Sequence, residues 1–146
     1  MAQLLIVDDE SAMRKLIRLC VEGRGHEARE AGDAQTALAA LAEKPADVVF
    51  VDVQMPGEDG VWLTGQIRNT YPLTAVILAT GVSTLAPSTT MRAGVMAYLV
   101  KPFKAAALLD ALMVALAWHD EVEASGPKPH DVGDALAAWL DSLEEL

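Results

Sequence analysis

The chain is poor in several features that would have directed its reading elsewhere. It has one cysteine, Cys20, in 146 residues, so no internal disulfide framework exists and a reducing, cytoplasmic setting is expected. Cys20 follows Met13, Leu16 and Ile17 at helical spacing, which assigns it to packing rather than chemistry. No apolar run is long enough to span a bilayer, and no basic segment precedes a hydrophobic one at the N-terminus, so neither membrane insertion nor a signal peptide is expected. Basic residues are scarce: 11 Lys and Arg against 21 Asp and Glu leave a net charge of −10, which argues against direct nucleic-acid binding. Aromatics make up only 5% of residues, while 52% are hydrophobic, a mix that suits an alanine-rich α/β domain.

The charge is unevenly spread. Residues 1–118 carry 13 acidic and 10 basic side chains, whereas residues 119–146 carry 8 and 1. The predicted organisation follows that division: a domain over 1–124, a Pro- and Gly-containing linker over 125–130, and an amphipathic helix over 131–146 with Val132, Leu136, Trp139, Leu140 and Leu143 on one face.

Within the first 124 residues, strands and helices alternate. Strands are predicted at Leu4–Asp8, His26–Glu30, Asp47–Val53, Ala75–Ala79 and Ala97–Val100. The second alternates weakly, as an edge strand does, and Val48-Val49-Phe50-Val51 is a continuous apolar run suited to a strand covered on both faces. Helices are predicted at Ala12–Glu22 with Ser11 as cap, at Ala34–Glu43 with Asp33 as cap, at Val61–Tyr71, and at Lys104–Ala124. Residues 83–92 occupy a helix slot but contain Ser, Thr and Pro87, so a weak helix is expected there. Short alternation of this kind implies a parallel sheet with right-handed crossovers and helices on both faces.

In such sheets ligands sit beyond the carboxyl ends of the strands. Those ends are Asp8-Asp9, Asp52, Thr80-Gly81 and Lys101-Pro102. One rim therefore gathers three carboxylates, a hydroxyl and an ammonium. Clustered carboxylates repel one another unless a cation joins them. An oxygen-only donor set, without His or Cys beside it, suits Mg²⁺. A carboxylate can also act as a nucleophile toward a phosphoryl group, with a metal and a lysine neutralising the transferring charge.

Four motifs occur in order: Val7-Asp8-Asp9-Glu10, Val51-Asp52-Val53-Gln54-Met55-Pro56-Gly57, Ala79-Thr80-Gly81, and Ala93-Gly94 through Tyr98-Leu99-Val100-Lys101-Pro102-Phe103. With these the sequence resembles the bacterial two-component response-regulator receiver (CheY-like) domains over about residues 1–120. The resemblance implies a flavodoxin-like (βα)5 sandwich with sheet order 2-1-3-4-5. It implies Asp52 as phosphoacceptor, with Mg²⁺ held by Asp9 directly, Asp8 through water, Asp52, and the backbone carbonyl of Gln54. Lys101 is expected to pair with the phosphoryl group, Thr80 and Tyr98 to act as the switch pair, and Pro102 to follow a cis peptide bond. The expected function is a signalling switch phosphorylated by a histidine kinase or phosphotransfer protein and read through protein contacts. The only catalysis expected is phosphoryl transfer to and from Asp52. The alternatives are a receiver piece of a longer regulator, whose effector lies elsewhere, and an inert interaction module. A hydrolase resembling the haloacid-dehalogenase phosphatases fits poorly, because those place a second Asp where this chain has Gln54. Gln54 and Val82 occupy positions that modulate phosphoryl lifetime in receivers, and a bulky Val82 implies slow hydrolysis.

Two further expectations concern the surface. Leu109, Leu112, Met113 and Leu116 exceed what one core-facing stripe needs. A homodimer through the face built from the 83–92 helix, the fifth strand and the last helix of the domain would cover them, and so would residues 131–146. His26, His119 and His130 read as scattered, solvated residues, and Trp62 and Tyr71 as packing residues.

Overall fold

A computed structural model of the chain describes residues 1–53, 60–80 and 95–125; at Thr80, Val95, Met96 and Tyr98 it describes the backbone alone. The predicted helix slot at 83–92, residues 54–59, the predicted 125–130 linker beyond Ser125 and the predicted 131–146 helix lie outside the described residues.

Five strands, β1 (Gln3–Val7), β2 (Glu27–Ala31), β3 (Val48–Asp52), β4 (Ala75–Thr80) and β5 (Val95–Val100), form one parallel sheet in the order β2-β1-β3-β4-β5. Four described helices accompany them: α1 (Ser11–Glu22), α2 (Ala34–Glu43), α3 (Gly60–Thr70) and α4 (Ala105–Ser125), the last being the helix predicted from Lys104. This is the flavodoxin-like topology expected from the motifs. All five residues of central β3 are buried, which explains its continuous apolar run. β2 lies at an edge and leaves Glu27 exposed.

Alternate strand residues serve opposite faces, as the two-residue period of a strand requires. Leu4, Ile6, Val48, Phe50 and Ile77 pack under α1 and α4. Leu5, Val7, Val49, Val51 and Leu78 pack under α2 and α3, with Leu41, Leu63 and Ile67 above them. Trp62 and Tyr71 pack at the margin of this second core, and Cys20 at the margin of the first. Among the described residues no helix is long and apolar enough to cross a membrane.

Helix starts differ in one respect from the sequence reading. Asp33 caps α2, its carboxylate accepting from the Thr36 N–H at 2.7 Å. At α1 the capping position belongs to Glu10 rather than Ser11, and no side chain caps it. The chain turns into α1 through Asp8 instead, whose Oδ1 accepts from the Glu10 N–H at 2.9 Å.

Two histidines also depart from expectation. His119 is buried: its Nδ1 lies 2.7 Å from the Leu73 carbonyl, and its Nε2 lies 3.1 Å from Asp47 and 3.3 Å from Glu123. It ties α4 to the start of β4, while the Arg68 guanidinium lies over the neighbouring Trp118 ring at 5.4 Å. His26 is half-buried and accepts from the Ala2 N–H at 3.1 Å. Sequence periodicity could not reveal these ties, because the partners are distant along the chain.

Candidate functional site

The rim of the sheet is set by strand register. Val7 aligns with Val51, Asp52 with Ala79, and Thr80 with Val100. Asp8, immediately after β1, Asp52 at the end of β3, Thr80 at the end of β4 and Lys101 just past β5 therefore emerge along one edge. A carboxylate at such an end is held by backbone already fixed in the ladder. Asp8 keeps its N–H bonded to the Ala31 carbonyl at 3.1 Å, and the Arg14 guanidinium donates to its carbonyl at 2.6 Å. Below Asp52, the Val53 N–H donates to Ala79 at 2.8 Å, and the Gly60 N–H donates back to Val53 at 3.1 Å.

Gly60 has a steric reason to be glycine. A Cβ built there would lie 2.3 Å from the Asp52 carbonyl oxygen and 2.8 Å from the Val53 Cα. The start of α3 thus presses on the backbone that carries Asp52, an approach that only glycine permits.

Asp8 and Asp52 are 2% and 5% exposed, and burying two carboxylates side by side is costly without a cation. Lys101 supplies one. Its ammonium donates to Asp8 Oδ2 at 2.7 Å and to Asp52 Oδ2 at 3.4 Å. Burial works against the Lys101 ammonium, but the hydrogen bond to Asp8 and the attraction of both carboxylates outweigh it and hold the lysine above its ordinary pKa. The Lys101–Pro102 peptide bond is cis.

Asp9 and Glu10 are exposed beside this buried pair. Carboxylate oxygens of Asp8, Asp9 and Glu10 all lie within 4.8 Å of one another, and Glu10 Oε1 is 4.0 Å from the Lys101 ammonium. Glu10 is a member of the cluster that motif reading passed over. Its signal was its position directly after the acidic pair, at the mouth of the strand. The donors are all hard oxygens, three carboxylates converge, and one lysine is shared between two buried charges, so the residues fit a small divalent cation such as Mg²⁺.

The structure thus brings Asp8, Asp52 and Lys101 together and sets Asp9 beside them. Thr80 and Tyr98 stand in β4 and β5 by their backbones, their side chains being outside what is described, and Gln54 lies outside the described residues. Of the expected dimer face, the predicted 83–92 helix falls outside as well, while β5 and α4 are described. Of the four α4 residues read as surplus, Leu112 is core, Leu109 and Leu116 are partly buried against that core, and Met113 is exposed.

The chain is also similar to known proteins in sequence and in fold. The family model described as response regulator receiver domain matches residues 4–113. The chain is 41% identical over 110 residues to the response regulator protein FleR of Pseudomonas aeruginosa, covering 75% of this chain and 23% of FleR. It is 32% identical over 139 residues to the DNA-binding transcriptional regulator NtrC of Salmonella typhimurium, covering 90% of this chain and 30% of NtrC. The chain therefore spans less than a third of either relative. Among solved structures, a response regulator receiver domain protein from Clostridium thermocellum superposes with a TM-score of 0.77 at 30% identity, over 84% of this chain and 99% of that one. The receiver domain of NtrX from Brucella abortus gives 0.73 at 33% identity, over 78% and 98%. With the sheet order, the acidic rim and its lysine, these likenesses show that the chain belongs to the response regulator receiver domain family of two-component systems.

Proposed function

We propose that this receiver domain is a phosphorylation-dependent switch that accepts a phosphoryl group on Asp52 from a histidine kinase or phosphotransfer protein in the cytoplasm. The observation that carries the reading is the Lys101 ammonium bonded to both Asp8 and Asp52, two carboxylates buried at the rim. A buried carboxylate with a cation beside it is poised for attack at phosphorus. An Asp52 oxygen forms the bond to phosphorus as the phosphorus–nitrogen bond of a phosphohistidine breaks. The imidazole leaves with that electron pair and takes up a proton.

Asp8, Asp9, Asp52 and the Gln54 carbonyl would hold Mg²⁺, which neutralises charge on the transferring group when bound. Lys101 has its own part. While Asp52 is unphosphorylated, the ammonium is shared between it and Asp8. Once Asp52 carries a phosphoryl group, the added negative charge draws the ammonium toward that group. Thr80 would donate its hydroxyl to a phosphoryl oxygen and Tyr98 would follow, which gives the site two arrangements that partner proteins can tell apart.

A second reading draws on the relatives. FleR and NtrC are several times the length of the matched region, so the same switch would serve as the input piece of a longer regulator.

The test is incubation with a small-molecule phosphodonor and Mg²⁺, followed by intact mass measurement. One added phosphoryl group, absent from Asp52→Ala, is expected. No mass change supports an inert module, and sustained consumption of the donor supports a hydrolase.

A further inference from the structure

The acidic rim uses the carboxyl ends of the strands. At the opposite edge, where the strands begin, stands a second group of metal-ligating side chains. His119 and Glu123 are four residues apart on α4 and so share one face of the helix, with Asp120 beside them. Asp47 immediately precedes β3, and Leu73 lies just before β4. An open cavity of about 340 Å³ is lined by Asp47, His119, Asp120 and Glu123, and also by Ala2 and His26.

His119 is 8% exposed, and its two nitrogens have separate tasks. Nδ1 lies 2.7 Å from the Leu73 carbonyl oxygen. That oxygen can only accept, so Nδ1 carries a hydrogen and donates it. The basic position of the ring is then Nε2, which faces Asp47 Oδ1 at 3.1 Å and Glu123 Oε2 at 3.3 Å. Both oxygens are acceptors too. A nitrogen lone pair against two carboxylate oxygens is repulsive, so the geometry requires a cation among the three. A proton on Nε2 is the least that would serve. It offers one N–H to the oxygens of two residues and offsets one negative charge.

We propose that these side chains form a binding site for a transition-metal dication of the Zn²⁺ type, with His119 Nε2, Asp47 Oδ1 and carboxylate oxygens of Glu123 and Asp120 as ligands. The distances fit. Ligands about 2.0–2.1 Å from a tetrahedral ion lie roughly 3.3 Å from one another, close to the two spacings seen around Nε2. A ring nitrogen of His119 and carboxylate oxygens of Asp120 and Glu123 also lie within 4.8 Å of one another. Asp120 and Glu123 are exposed, so a rotamer change closes them on an ion without moving the backbone. One imidazole among carboxylates suits Zn²⁺, whereas the oxygen-only rim suits Mg²⁺.

The two inner ligands are already held. The Nδ1–H bond to a backbone carbonyl fixes the tautomer and aims Nε2, as an outer partner does for a ligating histidine. Asp47 has its Oδ2 bonded by the Gln3 N–H at 2.8 Å, which leaves Oδ1 turned to His119. Charge points the same way. Among the described residues no lysine or arginine forms an ion pair with Asp47, Asp120 or Glu123. His26 Nδ1 accepts from the Ala2 N–H and is not aimed at the carboxylates. The last turn of α4 has no basic residue, and the carbonyl end of a helix itself favours a cation. Three carboxylates with one proton keep two negative charges, and a dication with neutral His119 keeps one. The bound ion would staple the end of α4 to the starts of β3 and β4, a strand length of about 17 Å from the phosphoryl rim.

The inference does not rest on phosphoryl transfer and is tested without a phosphodonor. The full chain is titrated with Zn²⁺ by calorimetry near pH 7.5, in excess Mg²⁺ to occupy the rim. One equivalent should bind. Because His119 also anchors α4 to Leu73, the discriminating variants are the exposed ones. Glu123→Gln with Asp120→Asn should keep the metal-free melting temperature of the unaltered chain and weaken Zn²⁺ binding at least tenfold. In long-range proton–nitrogen spectra, Zn²⁺ should shift the His119 Nε2 signal while Nδ1 keeps its hydrogen. Equal affinity in the double variant would overturn the proposal. So would loss of Zn²⁺ binding in Asp9→Ala, which would place the ion at the rim, and so would an Nε2 that still bears a proton at saturating Zn²⁺.

Discussion

Lys101 lies closer to Asp8 than to Asp52: the ammonium donates to Asp8 Oδ2 at 2.7 Å and to Asp52 Oδ2 at 3.4 Å. The buried carboxylate that holds the lysine most tightly is therefore not the proposed phosphoacceptor. This asymmetry gives opposite signs to two substitutions. Lys101→Met leaves two buried carboxylates facing each other and should lower the stability of the metal-free protein by about 2–3 kcal/mol. Asp52→Asn removes one of the repelling charges while Lys101 keeps Asp8, and should be neutral or stabilising by up to about 1 kcal/mol. Urea unfolding of both variants in EDTA checks the pair, and equal destabilisation would show that the lysine is not compensating the carboxylates.

Asp8 and Asp9 are adjacent but differ in burial, so their substitutions should separate into structural and metal-dependent effects. Asp8 accepts from Glu10 and Lys101 and is 2% exposed. Asp8→Ala should cost about 1–3 kcal/mol even without metal. Asp9 is exposed, and Asp9→Ala should leave metal-free stability within about 0.5 kcal/mol. With Mg²⁺ at 100 times its dissociation constant, the unaltered protein should gain about 2.7 kcal/mol, and Asp9→Ala should lose most of that gain. Asp9→Ala should also reduce Mg²⁺-dependent phosphorylation at least as much as Asp8→Ala. Thermal melts with and without Mg²⁺, with intact mass after phosphodonor treatment, read both effects.

Gly60 offers a test of how rigidly Asp52 is held. Gly60→Ala would drive a methyl group into the Asp52 carbonyl, 2.3 Å away. Relief requires α3 to retreat or β3 to bend at its last residue. The expected cost is about 3 kcal/mol. Gly65 is the control: it lies within α3, and a Cβ there meets nothing within 4 Å. Gly65→Ala should stabilise by about 0.5–1 kcal/mol through the helix propensity of alanine. Comparing the two urea midpoints separates the steric effect from the helical one.

These relationships show which parts of the molecule the sequence could express. Period and burial are local properties, so β3 could be recognised as a doubly covered strand and β2 as an edge. The rim was legible for a related reason. A parallel sheet delivers its strand ends to one edge, so Asp8, Asp52 and Lys101 could be grouped before any distance was known. What stayed hidden depends on contacts between segments far apart in the chain. His119 reads as an isolated histidine until Leu73 and Asp47 are placed against it. Gly60 stands in the sequence only as the residue before the predicted helix Val61–Tyr71, and its need to be glycine shows once β3 lies beneath it. Leu109, Met113 and Leu116 announce surplus apolar surface in the sequence, but only the neighbouring wall formed by Arg24 and His26 shows which flank of α4 they occupy.

The acid limb of stability should be set partly by the α1–β2 pairing. Glu30 accepts from Arg18 at 3.0 Å and from Arg14 at 3.1 Å. The hydrogen bond from Arg18 comes first among the causes that hold the Glu30 carboxyl below its usual range, followed, against the opposing effect of burial, by the bond from Arg14. A carboxyl whose folded pKa is depressed binds fewer protons in the folded than in the unfolded state. Its contribution is therefore complete above the unfolded pKa and is lost as pH falls through the folded one. Because Arg18 is exposed, the contribution should be modest and weakened by salt. Glu30→Gln should flatten the fall in stability below about pH 4.3, the ordinary glutamate value, and change little at the alkaline end. Stability measured from pH 3 to 7 at low and high salt checks this. An unchanged acid slope in Glu30→Gln would place the proton uptake elsewhere, with Asp33, whose carboxyl is lowered by its hydrogen bonds from Thr36, as the next group to replace.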